Sequence, residues 1–386
     1  MQAHTNHQDV DTVIIGAGPA GLAVAACLKE RGVPFALLER APHVGAAWRG
    51  HYDRLHLHTS KGLSALPGLP LPRHYPKYPS RLQVIEYLEQ YAAHFQLEPQ
   101  FGQEVLAAER VGEQWQTRTQ DRLYTSRNLV LATGYSRVPF VPDVPGQELF
   151  QGRVLHSSEY RTGRPFAGQQ VLVVGFGNSG GEIAIDLHEH DARPSLSVRG
   201  PVNVVARDTL GIPTLGWSII LSKLPGSLGD ALAAPLVRLT VGDVRRYGLR
   251  RASVGPIQQI KTRGRIPLLD VGTVGLIKRG ALPIFPGLEH FTADGVVFND
   301  GRAQRFDAIV FATGYRPRVL DLLPGLDEAI APDGVPQVSG RPTGVPGLYF
   351  CGFYVSPTGM LREIGIEAEK IARLIPLSSP APPPPA

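Results

Sequence analysis

Two stretches of this chain repeat one plan: a β-branched strand, a glycine-rich turn and a helix start built of small residues. They are "TVIIGAGPAGLAVAACL" from Thr12 and "VLVVGFGNSGGEIAIDL" from Val171. A strand that runs directly into G-x-G-x-x-G and then a helix makes a dinucleotide-binding turn. In the first copy Gly16 permits the tight turn, Gly18 lets a pyrophosphate approach the backbone, and Gly21 lets helix and sheet pack closely. Pro19 and Ala20 open the helix, whose N-terminal N–H groups would face the phosphates. Each copy is matched further on by an apolar strand ending in one tetrapeptide, "LVLATGY" up to Tyr135 and "AIVFATGY" up to Tyr315. The expected fold class is therefore α/β, with two Rossmann-like dinucleotide-binding domains.

The copies differ where the ribose would lie. The strand "FALLER" ends the first at Glu39, with Arg40 beside it, and a carboxylate there accepts from ribose hydroxyls and repels a 2′-phosphate. That site is expected to take FAD or NAD and to exclude NADP. In the second copy Gly175, Gly177 and Gly180 repeat the glycine pattern around Asn178 and Ser179. Its following strand, "SLSVRG", ends at Arg199 in the place read as that of Glu39, and an arginine pairs bidentately with a 2′-phosphate. NADPH is expected there. One flavin-type and one NADPH site in a single chain imply hydride transfer from nicotinamide to flavin. No Cys-x-x-Cys supplies a redox dithiol, which counts against disulfide reductases and points the electrons to dioxygen, a quinone or another carrier.

The simplest assembly threads the second fold into the first: residues 1–155 and 307–376 form a discontinuous FAD-binding domain around an NADPH-binding domain, 156–306. A length of 386 residues suits two such domains. Within the second, the apolar stretch around residues 208–242 is interrupted by Lys223, Pro225 and Asp230 too soon to span a membrane, and reads as a lid or packing element. A helix from Arg81 is expected to turn Leu82, Ile85, Leu88, Ala92 and Phe95 inward, and a last helix Leu361, Ile364, Ala368 and Ile371. Residues 377–386 read as a disordered Pro-rich tail.

The formal charge of +5 is scattered, without the basic run or aromatic-interleaved stripe of a nucleic-acid surface, and anionic cofactors account for it. Cys27 and Cys351 stand far apart and suggest neither a disulfide framework nor a metal site. No signal peptide or long apolar span opens the chain, so a cytoplasmic protein is expected. Nothing in the composition excludes a homo-oligomer.

Between the fingerprints lies "FQGRVLHSSEY", whose Phe150, Gly152, His156 and Tyr160 reproduce the F-x-G-x-x-x-H-x-x-x-Y/F signature of class B flavin-dependent monooxygenases. The chain resembles this family along nearly its whole length. It looks most like the YUCCA-type indole-3-pyruvate monooxygenases in segments such as "YDRLHLHTSKGLSALPGLPLP", "YGLRRASVGPIQQIKTRGRIPLLDVGTVGLIKRG" and "FDAIVFATGYRP". Tyr160 stands where Baeyer–Villiger enzymes carry Trp.

The resemblance implies FAD and NADPH as cofactors, a flavin (hydro)peroxide formed with dioxygen, and insertion of one oxygen atom into a small organic substrate. Oxidative decarboxylation of a 2-oxo acid such as indole-3-pyruvate and N- or S-oxygenation both remain open. A reductase or oxidase passing electrons to a quinone, a partner or dioxygen is the alternative. The resemblance places Thr133 and Gly134 at the flavin, Trp48 at the flavin or simply in the core, and His156 and Tyr160 at the domain junction, with a structural role open for His156. It brings His58 near the reactive flavin edge, as a hydrogen-bonding group or a structural one. The helix start at Thr358 and Gly359 is expected either to aim N–H dipoles at the flavin or simply to cap the helix. The segment "MLREIG" departs from the YUCCA-type ending, which puts the substrate in question. No metal site is expected.

Overall fold

Parallel strands covered on both faces read as unbroken apolar runs, and Val13 to Ile15 form such a run, buried at the centre of a seven-stranded sheet. The computed structural model describes residues 6–209 and 211–377, so most of the expected Pro-rich tail lies outside the described residues. In the first sheet Asn6–Ile15 pairs in parallel with Phe35–Glu39 and with Arg122–Leu131. Gln100–Phe101 extends one edge, and Gln114–Arg118 and Ala107–Val111 continue the other as an antiparallel meander. Leu348–Phe350 returns late in the chain to pair with Arg122–Leu131.

Helices Pro19–Glu30, Arg81–His94 and Met360–Leu374 cover one face. Each fully buried Leu, Val or Ile there contributes about 1.5–3 kcal/mol. All four residues expected inward on the last helix are buried. On Arg81–His94 the buried face comprises Val84, Ile85, Tyr87, Leu88, Tyr91 and Ala92, whereas Leu82 is 65% exposed, contrary to expectation. A capping box between Ser80 and Gln83 starts the helix, and Leu82 lies in that first turn, beyond the reach of the core.

The second sheet runs in the order Ile284–Phe285, Arg193–Ser197, Gln170–Val174, Ala308–Phe311, Arg153–His156. Ala308–Phe311 is parallel to both of its neighbours, and so this sheet claims strands 153–156 and 308–311 entirely. The boundaries expected at 155 and 307 are corrected: the second unit takes in at least Arg153 through Phe311. Both A-T-G-Y strands are buried and apolar, and only long-range pairing shows which sheet each joins. A three-stranded antiparallel sheet, Leu288–Thr292, Gly295–Phe298 and Ala303–Arg305, packs a phenylalanine cluster around Phe150, Phe291, Phe298, Phe306 and Phe311.

The units are joined by the loop after the short helix Ala46–Arg49. Its Tyr52 is buried in the second unit's core, and Asp53 N–H donates to Arg161 O at 2.9 Å. The segment expected as a lid forms helices Thr214–Leu221 and Gly226–Thr240. Among the described residues, no helix is long and apolar enough to cross a membrane.

Candidate functional site

The glycine turns set the floor of the site, and both are built alike. A Cβ on Gly16 would stand 2.8 Å from Ala132 O, and one on Gly175 2.5 Å from Ala312 O. Both glycines have positive φ, +106° and +121°. Gly21 and Gly180 leave no room for a Cβ, which would fall 1.8 Å and 2.4 Å from Gly16 O and Gly175 O. By contrast, a Cβ on Gly18 or Gly177 would meet nothing within 4 Å. These two glycines begin the helices Pro19–Glu30 and Asn178–Glu189, with no side chain capping either N-terminus. Such an uncapped, open helix start is the cradle a pyrophosphate needs.

A cavity of about 950 Å³ opens over the first turn. Gly16, Gly18, Pro19, Ala20, Glu39, Arg40, Trp48, Thr133 and Gly134 all line it, as sequence reasoning grouped them, while Gly21 lies beneath. Both oxygens of the buried Glu39 accept backbone N–H groups, from Ala17 at 2.8 Å and Ala41 at 2.9 Å, so the carboxylate also clasps the turn. Thr133 Oγ1 is buried without a hydrogen-bond partner, an orphan polar atom on this wall. Trp48 packs edge-on to His51, 6.0 Å between centroids. Burial, aided by Arg161 and Arg81, pushes the His51 imidazole down to about 4, so it is neutral near pH 7. Of the expected pair at the last helix, Gly359 lines the cavity and Thr358 does not; Thr358 Oγ1 donates to the Glu363 carboxylate in the first turn, and no side chain caps the helix N-terminus.

In the second unit only Asn178 of the fingerprint reaches this cavity, its Oδ1 accepting from Leu269 N–H at 2.8 Å. Ser179 faces the buried Tyr52 hydroxyl. Register corrects one expectation. Ile15 pairs with Leu38 and Val174 with Ser197, so Val198 occupies the step of Glu39, and Arg199 matches Arg40. The second ribose edge thus replaces the acid with an apolar residue, Val198, and keeps an exposed guanidinium at the next step, Arg199 in the place of Arg40. No carboxylate of the described residues lies within 4.0 Å of that guanidinium.

His58 lines the cavity at the junction, with Nε2 2.8 Å from Oε1 of Glu182, though not in line for a hydrogen bond. Glu182 is buried on the second unit's helix, and Arg54 Nε approaches its other oxygen at 3.7 Å. An Arg–Glu–His cluster therefore spans the units; the sequence offered no pattern for it.

The signature segment serves the second unit's interior, and neither His156 nor Tyr160 lines the cavity. Ser158 N–H donates to His156 Nδ1 at 3.1 Å, so Nε2 carries the proton and donates to Gly314 O at 3.0 Å. Burial lowers the imidazole's pKa, in keeping with this neutral form. Tyr160 donates to Asp186 Oδ2 at 2.6 Å, and Gly163 N–H donates to the same oxygen at 2.7 Å. A Cβ at Gly152 would lie 2.5 Å from both Asp307 O and the Phe150 ring.

Beyond the junction the cavity continues into an apolar chamber walled by Leu215, Trp217, Leu221, Leu236, Ile257 and Ile260. The first two helices of this wall are tied down by Ser218 Oγ donating to Pro357 O at 2.7 Å, and by Asp230 accepting from Ile257 and Gln258 N–H. Arg207 also stands here, a residue that sequence reasoning passed over because "VVARDT" carries no motif. Among the described residues no His, Cys, Asp and Glu group could hold a metal.

Two Rossmann-type units with two open phosphate cradles, and an acid at only one of the two ribose edges, fit a flavoprotein oxidoreductase that takes FAD and NADPH. Residues 13–209 match the pyridine nucleotide-disulphide oxidoreductase family. The chain belongs, more narrowly, to the YUCCA-type flavin-dependent monooxygenases, enzymes that incorporate oxygen. The Arabidopsis thaliana protein named "Probable indole-3-pyruvate monooxygenase YUCCA1" is 42% identical over 349 residues, 88% of this chain and 84% of its own length. The Oryza sativa subsp. japonica indole-3-pyruvate monooxygenase YUCCA1 is 43% identical over 350 residues, 88% of this chain and 86% of its own. A flavin-containing monooxygenase from Stenotrophomonas maltophilia superposes with a TM-score of 0.73 at 27% identity, covering 95% of this chain and 98% of that one.

Proposed function

We propose that this monooxygenase carries out the oxidative decarboxylation of a 2-oxo acid such as indole-3-pyruvate. Written in full, R–CO–COO⁻, O₂, NADPH and H⁺ give R–COO⁻, CO₂, NADP⁺ and H₂O. The observation that carries this reading is the continuous cavity of about 950 Å³ that runs from the first glycine turn to the apolar side chains of Leu215, Trp217, Leu221 and Leu236. Relatives at 42–43% identity bear the name of that activity.

FAD would lie along Gly16, Gly18 and Glu39, with Arg40, Trp48, Thr133, Gly134 and Gly359 around it; when bound, it supplies the oxygen-activating chemistry. NADPH would lie on the turn of Gly175, Gly177, Asn178, Ser179 and Gly180 with its 2′-phosphate at Arg199. The chain's own task is then to exclude water, which Trp217, Leu221 and Leu236 are placed to do. His58, held beside Glu182, would offer a ring nitrogen to the reacting groups at the junction. Cys27 and Cys351 are both free and buried, which suits a cytoplasmic setting. Screening 2-oxo acids, amines and thioethers for coupled NADPH consumption tests the substrate class. Coupling to aryl 2-oxo acids is expected, and coupling confined to neutral amines or thioethers contradicts it.

A further inference from the structure

We infer that Arg207 is the anchor for the substrate's carboxylate. This rests on the 2-oxo acid reading above and assigns a residue to it. Among the described residues, Arg207 is the one arginine or lysine on the chamber's wall, since the other two guanidinium groups on the cavity, Arg40 and Arg137, follow strands of the first sheet. Asp208 engages the guanidinium through Nε alone, so its remaining donors can take a second anion from the cavity.

The guanidinium is held in place. It stacks on the Tyr78 ring, 4.1 Å from the centroid, and Nε donates to Asp208 Oδ2 at 3.4 Å. Asp208 is engaged elsewhere as well, with Tyr78 Oη donating at 2.7 Å and Lys77 Nζ at 2.5 Å to its Oδ1. Arg207 N–H donates to Asp270 O at 3.2 Å, which fixes the backbone. The two terminal nitrogens have no partner among the described residues, although they form the fork that suits a carboxylate. The only other charged group on the chamber wall, Asp230, has both oxygens occupied by Ile257 and Gln258 N–H.

An aryl 2-oxo acid fits this arrangement with its ring against Trp217 and Leu236 and its carboxylate on Arg207. A neutral substrate of the same shape forgoes the charge-assisted, bidentate pairing with the guanidinium, so Arg207 sets the preference for acids. The nucleotide has its own cradle at Gly177 and its own cation at Arg199, and no fingerprint residue except Asn178 reaches the chamber side.

The test uses FAD-loaded wild type, Arg207→Met and Arg207→Lys. In Arg207→Met, kcat/KM for indole-3-pyruvate is expected to fall on the order of 100-fold, while FAD content, thermal midpoint and the KM for NADPH stay near wild type. Arg207→Lys keeps the charge without the fork and recovers part of the loss. Flavin absorbance titrations with indole-3-acetate and its neutral isostere indole-3-acetamide separate the two claims. A preference of about 10-fold or more for the acid in wild type, lost in Arg207→Met, supports the anchor even if no 2-oxo acid is turned over, an outcome that would sink the substrate reading alone. Equal affinity for acid and amide in wild type, an unchanged preference in Arg207→Met, or a parallel rise in the NADPH KM overturns the anchor.

Discussion

The placement of the two nucleotides is open to test at single residues. Arg199 is exposed, unpaired with acid and one register step beyond the position of Glu39. Arg199→Glu is therefore expected to lower the NADPH-over-NADH ratio of kcat/KM by at least about 10-fold through loss of a charge-assisted pair, with FAD content unchanged. An unaltered ratio in steady-state kinetics contradicts the placement. Glu367 makes a different prediction. Burial, opposed in part by bonds from Gly352 N–H and Ser339 Oγ, raises its carboxyl from 4.5 to about 7, and its Oε1 has no partner. The folded state holds a proton that the unfolded state releases near 4.5, so this group's contribution is whole below that pH. It is lost as pH rises through 7, by about 3 kcal/mol in all. Glu367→Gln keeps an acceptor for Gly352 and Ser339 and removes the charge. Its thermal midpoint relative to wild type should rise between about pH 5 and pH 8, and a gap that stays flat with pH rules the account out.

At the scale of elements, the signature segment acts as a staple inside the second unit. Tyr160→Phe removes a buried donor to Asp186 and is expected to cost about 1–3 kcal/mol of stability while leaving the KM for NADPH within about twofold. A large KM change with an unchanged melting temperature would instead place Tyr160 at the nucleotide. The glycine turns were legible because each requirement is local: a positive φ at Gly16 and Gly175, and contact with a backbone oxygen at Gly21 and Gly180. The last helix was legible from its period. Leu82 was misjudged because a first-turn residue can satisfy the period and still point past the core. The one-step offset of Arg199 from Glu39 was hidden because strand register depends on neighbouring strands.

For the whole molecule, function follows from how two similar units share one cavity. The strands 153–156 and 308–311 resemble those of the first sheet in composition, so their membership of the second was illegible without long-range pairing. The same holds for the Arg54–Glu182–His58 cluster, which joins a loop to a helix remote in sequence, and for Arg207, which stacks on the distant Tyr78. The sequence reads the apolar stretch 208–242 as a packing or lid element; its helices line the cavity, while Ile220 and Leu239 are 62% and 74% exposed. As a monooxygenase, the protein passes reducing equivalents from NADPH through the flavin to dioxygen, and one oxygen atom leaves in the product. Turnover of indole-3-pyruvate under ¹⁸O₂, with NADPH, hydrogen peroxide and product measured together, tests it most directly. The account predicts one ¹⁸O atom in each indole-3-acetate and one NADPH consumed per product, with little peroxide. NADPH consumption matched by hydrogen peroxide, or product without label, would contradict it.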